Sequence, residues 1–407
     1  METESQSLSV LVVGGGMITR DVILPTLFQE QDDGRVGPVR VASRRAATIR
    51  ALRELLGRAQ PPNEPHPFKG HPDPDQVDDL EQSQPEAYRQ AIADLPAGSA
   101  VIVATPDDFH TPVALAAIEA GHHVLVEKPL CLKVAEAHRI IAAAEEKGVL
   151  VQTDYHKRYD RANRLIMTAY RRGDLGQPLA QYAKINERKE IPEEVFRRWC
   201  ERSSPFEYIG VHYADIYYFI TGLMPQRVMA TGQKRYLVAE GIDAYDAVQA
   251  HIIWEDGSAS QIATHWVSPR DNTALTDQFV EFTATRGVVV SDHKDRGTSL
   301  CTDEAGFQHI NPNFFRGYLD PATGKTRYEG YGYDSIVQFL RDVDEIRRGE
   351  KTPADFEGGK RPTARDSLVG TAINEAVRLS LEHNSAWVSF DPGLMPRLFN
   401  QQGGGLA

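Results

Sequence analysis

The first 150 residues alternate short apolar runs with helix-compatible segments, and no other feature of the sequence constrains the fold as strongly. Such runs, bounded by turn residues, are typical of buried strands, and their alternation with helices is typical of a parallel sheet. The runs read SVLVV, PVRVA, SAVIVA, HHVLV and VLVQT. They predict a doubly wound α/β domain over residues 8–150, interrupted by an irregular insertion, a surface flap or binding loop, at about 60–85.

Residues 151–395 have a different pattern. Strand-like runs follow one another without crossover helices, and two helical segments close the region. The residues EDGS between two alternating runs predict a hairpin in which Gly257 supplies the positive φ of the turn. We therefore expect a second, α+β domain with an open, mainly antiparallel sheet, and with the last helices packing back.

The charge and composition exclude several classes of protein. With 57 acidic against 45 basic residues, the net charge of −12 disfavours binding to nucleic acid or an anionic membrane. No apolar run is long enough to span a bilayer. The three cysteines lie far apart, and the first residues do not resemble a signal peptide, which favours a cytoplasmic location. No metal-ligand pattern is present, so we expect no metal.

A glycine turn follows the first predicted strand. Gly14, Gly15 and Gly16 come directly after Val13, and Met17 and Ile18 follow them. A tight turn between a strand and a helix lets backbone N–H groups meet a pyrophosphate. The third glycine of the dinucleotide fingerprint is replaced by Thr19, so the match is incomplete. Its place at the start of an alternating series favours a dinucleotide site formed by Gly14, Gly16, Met17 and Ile18.

The end of the second strand bears on the choice between NAD and NADP. An acidic residue there would bind the ribose hydroxyls, but this chain has Ser43, Arg44 and Arg45. Arginines suit a 2′-phosphate, which predicts that NADP is preferred and NAD is the alternative. The competing interpretation is that both arginines are solvated at a helix start.

Two further strands end in polar residues at the edge where open α/β sheets bind ligands. One ends at Thr105 and Pro106, which could approach the nicotinamide ribose. His110, which starts the next helix, is a further candidate for cofactor binding. The other ends at Glu127 and Lys128. A lysine beside a carboxylate can hydrogen-bond a substrate hydroxyl and accept its proton as hydride leaves the carbon. We therefore expect the cofactor and the reacting hydroxyl at this edge.

These motifs together resemble the Gfo/Idh/MocA family of sugar and cyclitol dehydrogenases. The matching segments are VVGGGM, ATPDDFHTPVALAAIEAGHHVLVEKPL, KRYD and GVHYAD with its trailing ITG. The resemblance implies a Rossmann domain that binds NAD or NADP, and a C-terminal domain that binds substrate and forms a homodimer or homotetramer. It also implies that Lys128 is catalytic or positions the substrate, and that His212 serves as general acid/base.

The chain departs from the family pattern at one position. Many members carry an aspartate four residues before the histidine, whereas this chain has Tyr208. Tyr208 could donate a hydrogen bond, Glu207 could substitute, or Lys128 could transfer the proton alone. Asp215 is the remaining nearby acid.

Other residues are candidates for substrate binding. Tyr155, His156, Lys157 and Arg158 correspond to a family segment that often borders the substrate, although they could equally form an exposed loop. Trp266 could stack on a sugar, or belong to an interface or core.

The sequence favours an NAD(P)-dependent dehydrogenase that acts on a secondary hydroxyl of a sugar, sugar derivative or cyclitol. One alternative on the same fold is an NAD-assisted enzyme that cleaves or isomerises glycosides. A second is a regulator that binds NAD(P) without turnover. The presence of Lys128 and His212 argues against the regulator.

Overall fold

The structure is a computed structural model that describes residues 7–58, 66–197, 199–304 and 306–399. The strands are β1 (Leu8–Val13), β2 (Val36–Ala42), β3 (Lys69–His71), β4 (Ala100–Val103), β5 (His123–Val126), β6 (Val151–Thr153), β7 (Pro178–Arg188), β8 (Pro225–Gln233), β9 (Ala247–Trp254), β10 (Ala259–Ser268), β11 (Thr276–Ala284), β12 (Gly287–Asp292), β13 (Ser299–Thr302), β14 (Gly306–His309), β15 (Arg316–Leu319), β16 (Thr326–Glu329), β17 (Val388–Phe390) and β18 (Pro396–Leu398). The helices are α1 (Leu24–Asp32), α2 (Ala46–Arg58), α3 (Ala87–Ala93), α4 (His110–Glu119), α5 (Val134–Lys147), α6 (Arg161–Arg171), α7 (Val211–Thr221), α8 (Tyr236–Ala239), α9 (Tyr331–Arg347) and α10 (Ala364–Glu382).

The chain forms two compact units, neither of which is continuous in sequence. The first contains Met1–Cys131, Glu136–Tyr159 and Asn313–Asp366, and the second contains Leu132–Ala135, Asp160–Pro312 and Ser367–Ala407. This division differs from the expected single boundary at residue 150, because a late segment of the chain belongs to the first unit.

The first unit is built on a six-stranded sheet in the order β3-β2-β1-β4-β5-β6. Every neighbouring pair in it is parallel. All residues of β4 and β5 are buried, as expected for central strands of a sheet that is covered on both faces. The strand order reverses between β1 and β4, next to the glycine turn. The predicted doubly wound parallel sheet is confirmed.

The prediction of an irregular segment over about 60–85 is wrong for Lys69–His71. These residues form the edge strand β3, parallel to β2, whereas residues 59–65 lie outside the described part of the chain. A Cβ atom at Gly70 would lie 2.4 Å from the Ile49 side chain, so α2 packs where only a glycine fits. A three-residue strand centred on glycine has no apolar run by which the sequence could reveal it.

Helix α9 belongs to the first unit, although it lies far along the chain. Its buried residues Ile336, Phe339 and Val343 join the same core cluster as Val10 of β1. On the same helix, the buried carboxylate of Asp342 accepts hydrogen bonds from Gln152 (2.9 Å) and Arg361 (2.7 Å). The end of β6 is therefore fixed partly by residues from this late segment.

The second unit contains an eight-stranded sheet in the order β12-β11-β7-β10-β9-β8-β17-β18. Only the β7/β10 pair is parallel among the pairs described. Burial alternates along β9 and β10, and the buried side packs against α7 and α10 through Ile216, Tyr217 and Ile373. Gly257 joins β9 to β10 with φ of 86°, as predicted. The expected α+β domain with a mainly antiparallel sheet is confirmed.

None of the helices in the described part of the chain combines the length and the apolar character that crossing a bilayer requires.

Candidate active site

The central strands of the first unit end at a common level. Val13, Val103, Val126 and Thr153 pair in register across β1, β4, β5 and β6. The residues that follow these four strands therefore line one edge of the sheet: Gly14, Ala104 with Thr105, Glu127 with Lys128, and Asp154. The parallel register explains why residues far apart in sequence meet at this edge.

The glycine turn has little room for side chains. Gly14 has φ of 117°, and a Cβ atom there would lie 2.0 Å from the Ala104 carbonyl oxygen. A Cβ atom at Gly15 would lie 2.5 Å from a Thr48 methyl group, whereas one at Gly16 would meet nothing within 4 Å. Packing within the protein therefore requires Gly14 and Gly15, but it leaves open space beside Gly16.

Thr19 closes the turn. Its side chain is fully buried, and Oγ1 donates a hydrogen bond of 2.9 Å to the Gly14 carbonyl oxygen. The π-helical turn Thr19–Ile23 then leads into α1. Before it, Met17 is 37% exposed and Ile18 is half-buried. A threonine thus stabilises this turn with a hydrogen bond at the position where the fingerprint has a glycine.

The two arginines after β2 lie near the loop that precedes α3. Arg44 is exposed and donates a long hydrogen bond of 3.3 Å to Ser83, while Arg45 approaches Glu81 at 3.7 Å. The Ser43 N–H donates to the His71 carbonyl oxygen at 2.8 Å, which ties this segment to the end of β3. Neither arginine contact is short, so both guanidinium groups can reorient toward an anion at low cost.

His110 is a structural residue, which corrects the expectation that its side chain contacts a cofactor. It is fully buried, with Nδ1 2.7 Å from the Pro129 carbonyl oxygen and Nε2 3.0 Å from that of Thr105. Burial lowers the pKa of His110 to about 4, so the ring is neutral and donates to one of the two carbonyl groups. The His110 ring therefore links the backbone of Thr105 to that of Pro129. Thr105 Oγ1 is buried without a hydrogen-bond partner.

Glu127, Lys128 and Asp154 form a buried charged cluster at the edge. The three residues are buried, and the Glu127 and Asp154 N–H groups donate to Val103 and Val126 of the adjacent strands at 2.9 and 2.7 Å. Burial, followed by repulsion from Asp154, raises the pKa of Glu127 to about 8, and Lys128 opposes this rise. Burial also raises the pKa of Asp154. Two neighbouring buried carboxyl groups do not both ionise readily, so the pair favours a state in which one of them is protonated.

The alternative that residues 155–158 form an exposed loop is wrong. Tyr155, Lys157 and Arg158 are all buried, and a 3₁₀ turn runs over His156–Tyr159. The guanidinium of Arg158 lies 5.9 Å from the centre of the Tyr155 ring. The segment is therefore packed inside the protein beside the end of β6.

His156 lies against two aromatic rings of the late segment. Its ring is 5.7 Å from that of Tyr331, stacked, and 5.3 Å from that of Phe314. Its Nδ1 atom is 4.0 Å from Asp154 Oδ2, and its side chain is 12% exposed. His156 therefore lies between the buried Asp154 carboxyl group and solvent, because its own side chain is the more exposed of the two.

The helix that carries the predicted acid/base residue lies in the second unit. His212 and Asp215 are buried on α7. A π-helical turn, Phe206–Gly210, directly precedes α7, so the α-helical spacing that would place residues 208 and 212 on one face does not apply. Glu207 accepts a hydrogen bond of 2.9 Å from Arg378, and its carboxylate is held against α10. This corrects the expectation that Glu207 could replace the missing aspartate.

Tyr208 lies in an aromatic cluster. Its ring centre is 4.6 Å from that of Phe196, 5.4 Å from that of Trp199 and 6.3 Å from that of Trp266. Trp266 itself is fully buried, and its Nε1 donates to Glu187 at 3.1 Å. Trp266 is thus a core residue, so of the alternatives that the sequence left open the core position is right, and its candidacy for substrate binding is wrong.

The aromatic surroundings of Tyr208 make a carboxylate unfavourable there. Tyr208→Asp removes edge-to-face contacts worth about 0.5–1.5 kcal/mol each and places a charge among apolar rings. We expect the thermal unfolding temperature to fall by several degrees, whereas Tyr208→Phe, the matched control, retains the ring contacts. Equal unfolding temperatures for the two variants in differential scanning calorimetry would contradict this description of the cluster.

Comparison with known families identifies the chain. Residues 8–155 match the model of an oxidoreductase family with an NAD-binding Rossmann fold, and residues 164–290 match the GFO/IDH/MocA C-terminal domain. The chain belongs to the Gfo/Idh/MocA family. The predicted family, its NAD-binding domain and its oxidoreductase class are confirmed.

Individual members of the Gfo/Idh/MocA family are distant relatives. A 1,5-anhydro-D-fructose reductase of Ensifer adhaerens is 31% identical over 45% of this chain, and this chain spans about half of it (52%). A myo-inositol 2-dehydrogenase of Thermotoga maritima is 24% identical over 70% of this chain and 80% of its own length.

Two solved structures share the fold of this chain. GenD2 from gentamicin A biosynthesis, in complex with NAD, has a TM-score of 0.69 at 21% identity, covering 95% of this chain and 97% of that one. The scyllo-inositol dehydrogenase of Lactobacillus casei with bound NAD(H) and scyllo-inositol has a TM-score of 0.66 at 16% identity, covering 94% and 99%.

Within the described residues, no group of three or more His, Cys, Asp or Glu side chains is arranged to hold a metal ion.

Proposed function

We propose that this protein is an NAD(P)-dependent dehydrogenase that transfers a hydride between a secondary hydroxyl of a sugar, sugar derivative or cyclitol and the nicotinamide. One observation carries the proposal: Lys128 is buried beside carboxyl groups, two strands from the glycine turn and at the same sheet edge. The dehydrogenase and reductase names of its relatives support the same reaction class.

The residues at this edge fit a dinucleotide. Gly14 and Gly15 bring the backbone close to neighbouring segments, Gly16 leaves space open, and Thr105 presents a buried hydroxyl without a partner. We propose that Gly14, Gly16, Met17 and Ile18 hold the pyrophosphate, and that Thr105, Pro106, Glu127 and Lys128 border the nicotinamide ribose. When bound, the nicotinamide accepts or donates the hydride.

Lys128 is the group that we propose to handle the substrate proton. An amine at this edge can hydrogen-bond the hydroxyl and take its proton as the carbon is oxidised. His212 is proposed as the second acid/base group, and Tyr208 as a hydrogen-bond donor. Substrate contacts are assigned to Asp215, Tyr155, His156, Lys157 and Arg158. Trp266 is withdrawn from this set because it is fully buried.

A screen of inositols, aldoses and glycosides with both cofactors tests the reaction class. We expect stoichiometric NAD(P)H for at least one free polyol. Cleavage of a glycoside without net NAD(P)H would instead assign the chain to the NAD-assisted alternative, since transient oxidation returns the hydride.

We propose that the cofactor is preferentially NADP. Ser43 lies beside the glycine turn, its Oγ 3.7 Å from the position of a Cβ atom on Gly15, and Arg44 and Arg45 carry positive charge at the end of β2. A guanidinium pairs with a dianionic phosphate through charge-assisted hydrogen bonds worth about 1.5–3 kcal/mol each. That difference corresponds to a preference of about tenfold to a hundredfold for NADP over NAD.

Ser43→Asp combined with Arg44→Ala is expected to reverse this preference. The added carboxylate repels the 2′-phosphate and can accept hydrogen bonds from the ribose hydroxyls. Titration calorimetry of both cofactors at two salt concentrations measures the change, with the exposed Arg139→Ala variant as control. Tighter binding of NAD than NADP by the unaltered protein would overturn the specificity proposal while leaving the dinucleotide site in place.

We also propose that the protein forms a homodimer or homotetramer through the sheet of the second unit. Leu179 and Tyr182 of β7 and Val288 and Val290 of β12 are about half exposed on this sheet. Exposed apolar patches of this kind are typical of protein interfaces.

A further inference from the structure

We propose that Asp154, together with Glu127 and His156, forms a proton relay that serves Lys128. This inference rests on the proposed dehydrogenase function and adds to it the route by which the substrate proton leaves the site. Asp154 acts through Lys128 and is a positioning residue, not a group that contacts substrate.

The geometry follows from the register of two strands. Val126 of β5 pairs with Thr153 of β6, so Glu127 and Asp154 are the next residues on adjacent parallel strands. The Asp154 N–H donates to Val126 at 2.7 Å, which fixes its backbone beside the segment that carries Lys128. Asp154 is 5% exposed, and its Oδ1 is buried without a hydrogen-bond partner. Burial of a charged carboxylate oxygen without a hydrogen-bond partner is energetically costly, and protonation of the carboxyl group lowers this cost.

The groups around Asp154 define the relay. Lys128 and Glu127 face it from the end of β5, Ser335 from α9, and His156 from the turn after β6, with its Nδ1 4.0 Å from Oδ2. Two more ionisable groups interact electrostatically with the pair, Asp107 with Glu127 and Tyr159 with Asp154. Only His156 among the three relay residues reaches intermediate exposure.

The proton balance in the oxidation direction is simple. As the substrate carbon is oxidised, its hydroxyl proton passes to the Lys128 amine, which becomes an ammonium group. A bound nicotinamide would take up the hydride. Lys128 then releases a proton to the ionised member of the Glu127/Asp154 pair, and the carboxyl group formed releases it to the His156 imidazole. His156 gives the proton to water, so the pair again holds one proton and Lys128 is neutral.

Asp154→Asn tests the relay in the full-length protein. We expect kcat of oxidation to fall at least about tenfold with KM little changed, because Lys128 keeps its place but loses its proton acceptor. The wild-type kcat is expected to fall at acid pH as the pair takes a second proton, and the variant loses this dependence. Added imidazole or formate should restore turnover of Asp154→Asn and of His156→Phe, which retains the aromatic stacking. Thr153→Val, an isosteric change at the preceding buried residue, serves as control. We expect its kcat to stay unchanged when imidazole or formate is added.

Infrared spectroscopy supplies a readout that needs no turnover. A protonated carboxyl band is expected at neutral pH in the wild type and in Thr153→Val, and its loss is expected in the double variant Glu127→Gln/Asp154→Asn, which has neither carboxyl group of the pair. If the wild type oxidises no polyol, the proposed function is wrong. The relay is then wrong too, even if the infrared band shows that the Glu127/Asp154 pair holds a proton. If the wild type turns over, but kcat of Asp154→Asn still falls at acid pH and does not rise with added imidazole or formate, the relay is wrong while the proposed function stands. Absence of the carboxyl band from the wild type also overturns the relay.

Discussion

Lys128→Met is expected to lower kcat by at least about a hundredfold, or about 2.7 kcal/mol of transition-state stabilisation, with cofactor affinity largely retained. The methionine side chain fills a similar volume but neither donates a hydrogen bond nor accepts a proton. Stopped-flow measurement of NAD(P)H formation gives kcat, and calorimetric titration gives the cofactor affinity of the same variant.

The exposed Lys147 at the end of α5 provides the matched control, because Lys147→Met removes the same charge away from the sheet edge. We expect it to leave kcat unchanged. Unchanged turnover in Lys128→Met would remove this lysine from the mechanism and leave His212 as the proposed acid/base group.

Gly14→Ala is expected to destabilise the first unit by about 3 kcal/mol or more. The added Cβ atom would lie 2.0 Å from the Ala104 carbonyl oxygen, and a φ of 117° is unfavourable for alanine. Backbone atoms cannot move aside as a flexible side chain can, so the end of β1 must shift. The midpoint of urea unfolding measures the effect.

Gly16→Ala separates packing from cofactor binding. Its Cβ atom would meet no protein atom within 4 Å, so we expect an unfolding midpoint close to that of the wild type. Affinity for NAD and NADP should fall nonetheless, because the open space is where we place the pyrophosphate. If Gly16→Ala bound both cofactors as tightly as the wild type, the pyrophosphate would have to lie elsewhere.

The sequence predicts the first unit well where the structure depends on local patterns. Apolar runs located five of the six strands, and strand ends located Gly14, Thr105 and Lys128 on one edge. Asp154 was missed because nothing local to VQTD shows that the strand beside it ends in Glu127. Only the pairing of Val126 with Thr153 reveals that contact.

Other misses have physical causes as well. The π-helical turn before α7 depends on packing. No spacing rule therefore predicts that Tyr208 and His212 do not lie on the same helical face. The buried position of Trp266 was one of the alternatives that the sequence left open, and strand alternation favours it, since Trp266 has the same parity along β10 as the buried residues Ile262 and Thr264. His110 was assigned to the cofactor from its position at a helix start, whereas its two backbone carbonyl contacts come from distant loops.

The discontinuity of the first unit bears on how the protein is made. Ile336 and Phe339 of α9 complete the core around β1, yet the ribosome synthesises them after the whole β7–β14 region. A nascent chain that has emerged only as far as residue 312 therefore exposes the apolar surface that α9 later covers. The second unit can form much of its sheet before the first is finished. Chaperone binding to stalled nascent chains should accordingly persist until residues 313–366 have left the ribosome.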